Sequence, residues 1–184
     1  MGTIVDKTVR LKDGQLLVIR AARPGDGGQV LAHVREILRE GEFVLSTLED
    51  FTMTEEKEAA WIQENLADPC RVVIIAEHEG QIIGMIDFKN GIRQRIAHHG
   101  EFGMSVNLSW RGLGVGRALL VALIEWAEEN PLIEKVCLRV FTTNTRGLAL
   151  YTSLGFKEEG HLLKYVKIAP QTYVDALEMY RFVG

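Results

Sequence analysis

Apolar and polar positions along the chain follow two periods, and the switches between them mark the elements. Leu16-Leu17-Val18-Ile19-Arg20 is a short apolar run closed by the turn residues Arg23-Pro24-Gly25-Asp26, and it predicts a first strand. Residues 28–40 carry Val30, Leu31, Val34, Ile37 and Leu38 at helical spacing, with Gly41 as the stop. Residues 54–67 predict a second helix, with Thr54 as N-cap, acidic residues in the first turn and Asp68-Pro69 at the end. Val72–Glu77 and Ile82–Phe88 predict two strands of a hairpin turned at His78-Glu79-Gly80-Gln81. From Glu101 to Val106, Phe102, Met104 and Val106 alternate with Glu101, Gly103 and Ser105, so one strand face meets the core and the other carries Glu101 and Ser105. Val115, Ala118, Leu119, Ala122, Leu123 and Trp126 define a helix over 115–129; Leu120, Val121 and Ile124 make it apolar on most sides. Val136–Phe141 predicts a strand, and residues 145–154 a short helix capped by Asn144 and stopped by Gly155. Strands near 161–168 and 174–182 follow, joined by Ala169-Pro170-Gln171-Thr172. The order β-α-α-β-β-β-α-β-α-β-β predicts one α/β domain over residues 1–184 on a mixed sheet, with residues 1–14 as an N-terminal extension or an extra strand.

Composition narrows the function classes. The net charge of −4 argues against a protein that coats nucleic acid, which needs a basic face, while leaving room for one basic pocket. Cys70 and Cys137 have no CxxC pattern and no histidine at ligand spacing, so they predict reduced thiols and no metal. No apolar stretch approaches the ~20 residues of a spanning helix, no signal peptide opens the chain, and Asp6 stands where a myristoylation signal places Ser or Thr. The expectation is a cytoplasmic protein without a membrane partner. His98-His99 are neighbours that a strand would point to opposite faces, so they do not form a chelating pair.

The most informative stretch is Arg111-Gly112-Leu113-Gly114-Val115-Gly116-Arg117, between a strand and a helix. Glycines at alternate positions let backbone approach a ligand closely. The first-turn amides of the helix have no intrahelical partners, and no Ser, Thr, Asp or Asn lies among residues 112–117 to cap them. Unpaired N–H groups and the helix dipole favour an anion, and Arg111 and Arg117 add positive charge. The guest predicted is a phosphate or pyrophosphate; the bare alternative is a tight turn without a ligand. The turn lacks the GK[ST] of a P-loop, and its third glycine comes one residue early for a dinucleotide fingerprint.

Arg111-x-x-Gly114-x-Gly116 resembles the [Q/R]-x-x-G-x-[G/A] signature of the GNAT superfamily of N-acetyltransferases. Asn144-x-Arg146-Gly147-Leu148-x-Leu150-Tyr151-x-x-x-Gly155-Phe156 resembles its second block, with Gly147 where alanine or another small residue is usual. The likeness in element order runs from about Leu17 to Phe182 and is sharpest from Glu101 to Phe156. It implies a mixed, mostly antiparallel sheet flanked by about four helices, and acetyl-coenzyme A as cosubstrate. It assigns the amides of Arg111, Gly112, Leu113, Gly114, Val115, Gly116 and Arg117 to the pyrophosphate. It places the pantetheine arm between the strands ending at Val106 and Phe141, which splay apart in the family, with Asn144 and Arg146 beside it. N–H groups near Met104, Ser105 and Val106 then face the acetyl carbonyl and stabilise an oxyanion.

The amine must be neutral to attack, so a base is useful; Glu101 is the candidate on the cleft strand, with a rim carboxylate or ion-pair partner as the plain alternative. Tyr151 matches the tyrosine that protonates the leaving thiolate, with a core aromatic as its alternative. Asn144 reads equally as an N-cap. The activity implied is direct transfer, in a ternary complex, of an acetyl group to a primary amine of a small molecule or protein. Residues 27–60 and the turn 169–173 imply much of the acceptor cleft, and the segment from Glu159 to Arg181 resembles bacterial ribosomal-protein acetyltransferases. The competing readings are a sensor that binds acyl-CoA without turnover, a nucleotide-binding regulatory domain, and transfer of another acyl group such as succinyl. Many members form homodimers, often through C-terminal strands, and the resemblance admits one here.

Overall fold

The computed structural model describes residues 2–184. Its strands are β1 (Lys7–Arg10), β2 (Leu16–Ala21), β3 (Arg71–His78), β4 (Gln81–Asn90), β5 (His99–Val106), β6 (Lys135–Phe141), β7 (Lys157–Ala169) and β8 (Thr172–Phe182). The helices are α1 (Gly27–Glu40), α2 (Glu55–Ala67), α3 (Val115–Glu129) and α4 (Thr145–Ser153). All eight strands form one sheet in the order β1-β2-β3-β4-β5-β6-β8-β7. The β5–β6 pair is parallel and its neighbours are antiparallel, so the sheet is mixed and mostly antiparallel, as the resemblance implied.

Helices cover both faces, which is why β3 is a continuous apolar run. Val73 and Ile75 point to α1 and α2, where they meet Val30, Ile62, Ile82 and Met85. Val72 and Ile74 point the other way, into a larger cluster with Leu119, Leu120 and Leu123 of α3. In that cluster Phe88 meets Trp126 edge-on at 5.5 Å. Helix α3 is thus the most buried helix, as its nearly unbroken apolar surface predicts.

The ends of the sheet add to the sequence reading. Residues 7–10 pair antiparallel with β2 and form an edge strand. The last two strands are longer than the apolar pattern indicates, β7 starting at Lys157. β7 is an outer strand with most side chains exposed and with register shifts at Glu158/Gly160, Leu162/Val166 and Lys167/Ala169. An exposed, bulged edge has no buried face to impose a period of two.

Candidate active site

β5 and β6 start as partners and then part. Their bridges are His99↔Lys135, Gly100↔Val136 and Glu101↔Cys137, and no bridge follows. On its other side β5 stays paired with β4 through Gly84↔Val106. Alternation along the strand decides which peptide groups face the gap. The His99 carbonyl accepts from Gly91 and the Asn107 amide donates to Ile83, both at 3.0 Å, so the odd-numbered peptides between them face β4. Met104 and Val106 therefore turn their N–H groups to the open edge. Ser105 does not: its peptide faces β4, and its hydroxyl lies 2.8 Å from His33 Nε2. Of the three residues read as donors to an acetyl carbonyl, two face the gap and Ser105 serves α1 instead.

The glycine turn sits at the gap's end. Gly112 and Gly114 have φ of 82° and 111°, a region where other residues are strained. A Cβ at either would meet no atom within 4 Å, so the space beside both is open. Gly114 is the N-cap of α3 and offers no side chain to its amides. Leu113 turns its carbonyl away, to the Lys12 amide at 3.1 Å, and Val115 is buried in the core. At Gly116 a Cβ would come within 3.5–3.6 Å of Leu150 and Met104, ordinary contact. An uncapped N-terminus opening on free space fits a phosphate.

The two arginines part company. Arg117 stays on the turn's side, its guanidinium 3.1 Å from Ser153 Oγ. Arg111 instead donates to the Val106 carbonyl at 2.9 Å and to Glu40, with Glu42 3.9 Å away. Its charge is neutralised by α1 and its side chain braces the end of β5. The positive charge expected from Arg111 at the phosphate site is spent elsewhere.

Tyr151 enters from α4. Its ring packs edge-on against Phe102 at 5.8 Å and Phe156 at 6.2 Å, so it is a core aromatic. Burial pushes its phenol up to about 12, which keeps it protonated at neutral pH. Asn144 caps α4, its Oδ1 accepting from the Gly147 amide at 2.9 Å. A Cβ on Gly147 would lie 2.9–3.0 Å from the Asn144 side chain, which explains the glycine at that position. Arg146 lies exposed on the first turn of the same helix.

The opposite face of the gap belongs to α1 and α2. Glu101 is bound to Arg139 at 2.9 Å, and Arg139 also holds Glu178 at 2.9 Å, which makes Glu101 an ion-paired carboxylate on the rim. Two other carboxylates, missed in the sequence, lie deeper. Asp87 is the one acidic residue of β4 and stands opposite Gly103. Burial pushes its carboxyl up to about 6. Glu58 of α2 is buried, and burial followed by the Asp87 charge raises it too. The signal for Asp87 was present as a lone acid inside Ile82–Phe88; Glu58 lay hidden in the charged run Glu55-Glu56-Lys57-Glu58. His33 is buried on α1, and its desolvated ring is held down to about 4 and neutral. Phe43, in the α1–α2 connection, reaches Phe141 at the end of β6, ring centroids 6.5 Å apart.

Among the described residues no group of three or more His, Cys, Asp or Glu is placed to hold a metal ion, and no helix is long and apolar enough to cross a membrane.

Known proteins share this plan. Residues 31–156 match the model of the Acetyltransferase (GNAT) family. The chain is 30% identical over 166 residues to the L-amino acid N-acetyltransferase AaaT of Escherichia coli, covering 90% of this chain and 97% of that protein. A GNAT-family acetyltransferase from Streptococcus pneumoniae superposes with a TM-score of 0.87 at 24% identity, over 91% of this chain and 99% of that one. The yncA structure from Salmonella typhimurium, solved with its cofactor acetyl-CoA, superposes with a TM-score of 0.81 at 20% identity, over 91% and 94%. With its parted β5 and β6, its glycine turn before α3 and a family match over well more than half its length, the chain belongs to the acetyltransferase (GNAT) family of N-acetyltransferases.

Proposed function

We propose that this N-acetyltransferase moves the acetyl group of acetyl-CoA to the α-amine of a free L-amino acid, by direct attack in a ternary complex, as one cytoplasmic catalytic unit over residues 1–184. The observation that carries the reading is the open edge of β5, where the Met104 and Val106 amides lead to the uncapped, glycine-lined start of α3. That edge suits an extended arm ending in a thioester, and the turn suits its pyrophosphate. In this reading the amides of residues 112–117 hold the pyrophosphate; the Arg111 amide, expected among them, donates instead to the Leu108 carbonyl at 3.3 Å. Asn144 and Arg146 lie along the arm, Met104 and Val106 donate to the carbonyl oxygen, and Tyr151 donates to the leaving sulfur.

Direct attack is supported by Cys137, the cysteine at the fork. Burial holds its thiol up to about 11, so it is protonated at neutral pH and poorly suited to form an acetyl-cysteine. A small acceptor is supported by the likeness to an L-amino acid N-acetyltransferase and by the Phe43–Phe141 contact.

The test is calorimetric titration with acetyl-CoA, with NADH and ATP as controls, followed by a panel of L-amino acids assayed for thiol release. Micromolar binding of acetyl-CoA and turnover with free amino acids bear the reading out. Binding without turnover on any amine makes the chain an acyl-CoA sensor, and turnover only on peptides moves the acceptor to a protein N-terminus.

A further inference from the structure

We infer that Asp87 is the group that takes the proton from the acceptor amine, reached from the gap across Gly103. The inference rests on the acetyl-transfer reading above and concerns its acceptor half.

Geometry carries it. Directly opposite residues of neighbouring strands share a face. Asp87 therefore shares a face with Gly103, and through Gly103 with Glu101 and Ser105. The Ser105–His33 contact identifies this as the α1/α2 face. Gly103 lies just past Glu101↔Cys137, the last bridge between β5 and β6. A Cβ there would sit 3.3 Å from Asp87 Oδ1. The missing side chain thus leaves a passage between the gap and a carboxylate one strand away. Any other residue at 103 would stand in it.

The surroundings fit an ammonium ion. Glu58, buried on α2, feels the Asp87 charge, and neither carboxylate has a salt-bridge partner among the described residues. Lys89 lies further along β4 and is exposed; His33 on the α1 side is neutral. Two acids, Glu58 buried and Asp87 half-buried, without a paired cation attract one, and an acid whose proton affinity is raised accepts a proton near neutral pH. Glu101 differs on both counts, being exposed and tied to Arg139.

The protons balance. The ammonium gives one proton to Asp87, which releases it to water. The neutral nitrogen attacks the thioester carbon, the C–N bond forms, and the oxyanion lies at the Met104 and Val106 amides. The C–S bond breaks as Tyr151 protonates the thiolate, and the proton left on the new amide nitrogen restores the phenol through water. The products are an N-acetyl amino acid, free thiol and one proton.

The test uses the full chain, saturating acetyl-CoA and the L-amino acid that turns over fastest. Asp87→Asn is expected to lower kcat about 100-fold. It should also erase the acidic limb that the wild type shows near pH 6, where Asp87 titrates. Its Kd for acetyl-CoA should not change, and Glu101→Gln should keep the limb. Gly103→Ala should lower kcat at unchanged Kd by obstructing the passage, and it decides the matter if Asp87→Asn fails to fold. An Asp87→Asn enzyme within about threefold of wild type, or one that keeps the limb, overturns the inference, as does an unimpaired Gly103→Ala. A wild-type chain that acetylates no amine defeats the acetyl-transfer reading itself and this inference with it, a result visible before any variant is made.

Discussion

The two sides of the β5–β6 gap are made of different materials. On the α3/α4 side the groups open to the gap are backbone: the first-turn amides of α3, the open space beside Gly112 and Gly114, and the N–H groups of Met104 and Val106. On the α1/α2 side they are side chains from separate elements: Glu58 on α2, Asp87 on β4, His33 on α1, and Phe43 between the helices. A backbone site needs a particular conformation, so it constrains which residues occupy a short contiguous stretch. A side-chain site needs only that distant positions converge, and convergence is a property of the fold. The first kind of site suits a cosubstrate shared by a whole family; the second can change with each acceptor.

Gly114→Glu should produce the largest effect. The backbone there has φ 111°, and a side chain in left-handed conformation costs roughly 1–2 kcal/mol. The added carboxylate also brings negative charge to the end of the helix that favours anions. Acetyl-CoA affinity measured by calorimetry should fall by about 100-fold, or about 3 kcal/mol, with the fold retained by circular dichroism. Unchanged binding would mean that the turn is only a turn, and the contrast between the two sides would collapse.

Tyr151→Phe comes next. Removing a positioned acid costs about 10²–10⁴-fold in rate, and here it should appear in kcat while Kd for acetyl-CoA holds. The wild-type phenol titrates only near 12, so this contribution should stay flat across neutral pH. A fall in stability without a fall in kcat would leave Tyr151 as the core aromatic that its packing on Phe102 and Phe156 also makes it.

The same division explains what could be read in advance. The α3 turn and the Asn144–Phe156 block are contiguous, and so the family, the helix starts and the tyrosine were all legible in the sequence. The boundaries of α1 and α3 followed from their apolar stripes, and those of α2 from its Thr54 cap, acidic first turn and Asp68-Pro69 stop. β7 was cut short because its outer edge carries Lys157, Glu158 and Glu159 and buries almost nothing. Glu101 attracted attention as the acid on the cleft strand, and only the fold shows Arg139 holding it from the far side of the fork. Asp87 and Glu58 are 29 positions apart along the chain (87 − 58), and nothing in either local pattern announces the other. Arg111 carries the same lesson: its partner Glu40 comes from the end of α1, far along the chain from the glycine turn.

Arg111 and Arg117 permit a sharper comparison inside the glycine turn itself. Arg111→Ala removes the donor to the Val106 carbonyl and leaves Glu40 without its cation, which should cost about 1–3 kcal/mol of stability in chemical denaturation. Its effect on acetyl-CoA affinity should be small. Arg117→Ala should do the reverse, leaving stability nearly unchanged while affinity falls severalfold and loses part of its salt dependence. Equal effects of both variants on affinity would return Arg111 to the phosphate site.

The smallest expected effect tests the departure from the family pattern at Gly147. Two opposed terms act there. Alanine is the better helix former, by roughly 1 kcal/mol over glycine in a helix interior and less in the first turn. Its Cβ would, however, meet the Asn144 side chain at 2.9–3.0 Å and push away the oxygen that accepts from the residue 147 amide. Loss of an N-cap costs about 0.5–2 kcal/mol. The terms nearly cancel, so Gly147→Ala should move the thermal midpoint by only a few degrees, with a net destabilisation. If Asn144 also lies along the cofactor arm, its displacement should raise the Kd for acetyl-CoA more than stability alone accounts for. Gly147→Ala that stabilises the protein and leaves Kd untouched would mean that the cap can retreat freely. Asn144 would then be a plain helix cap, and the cofactor side of the gap would rest on backbone alone.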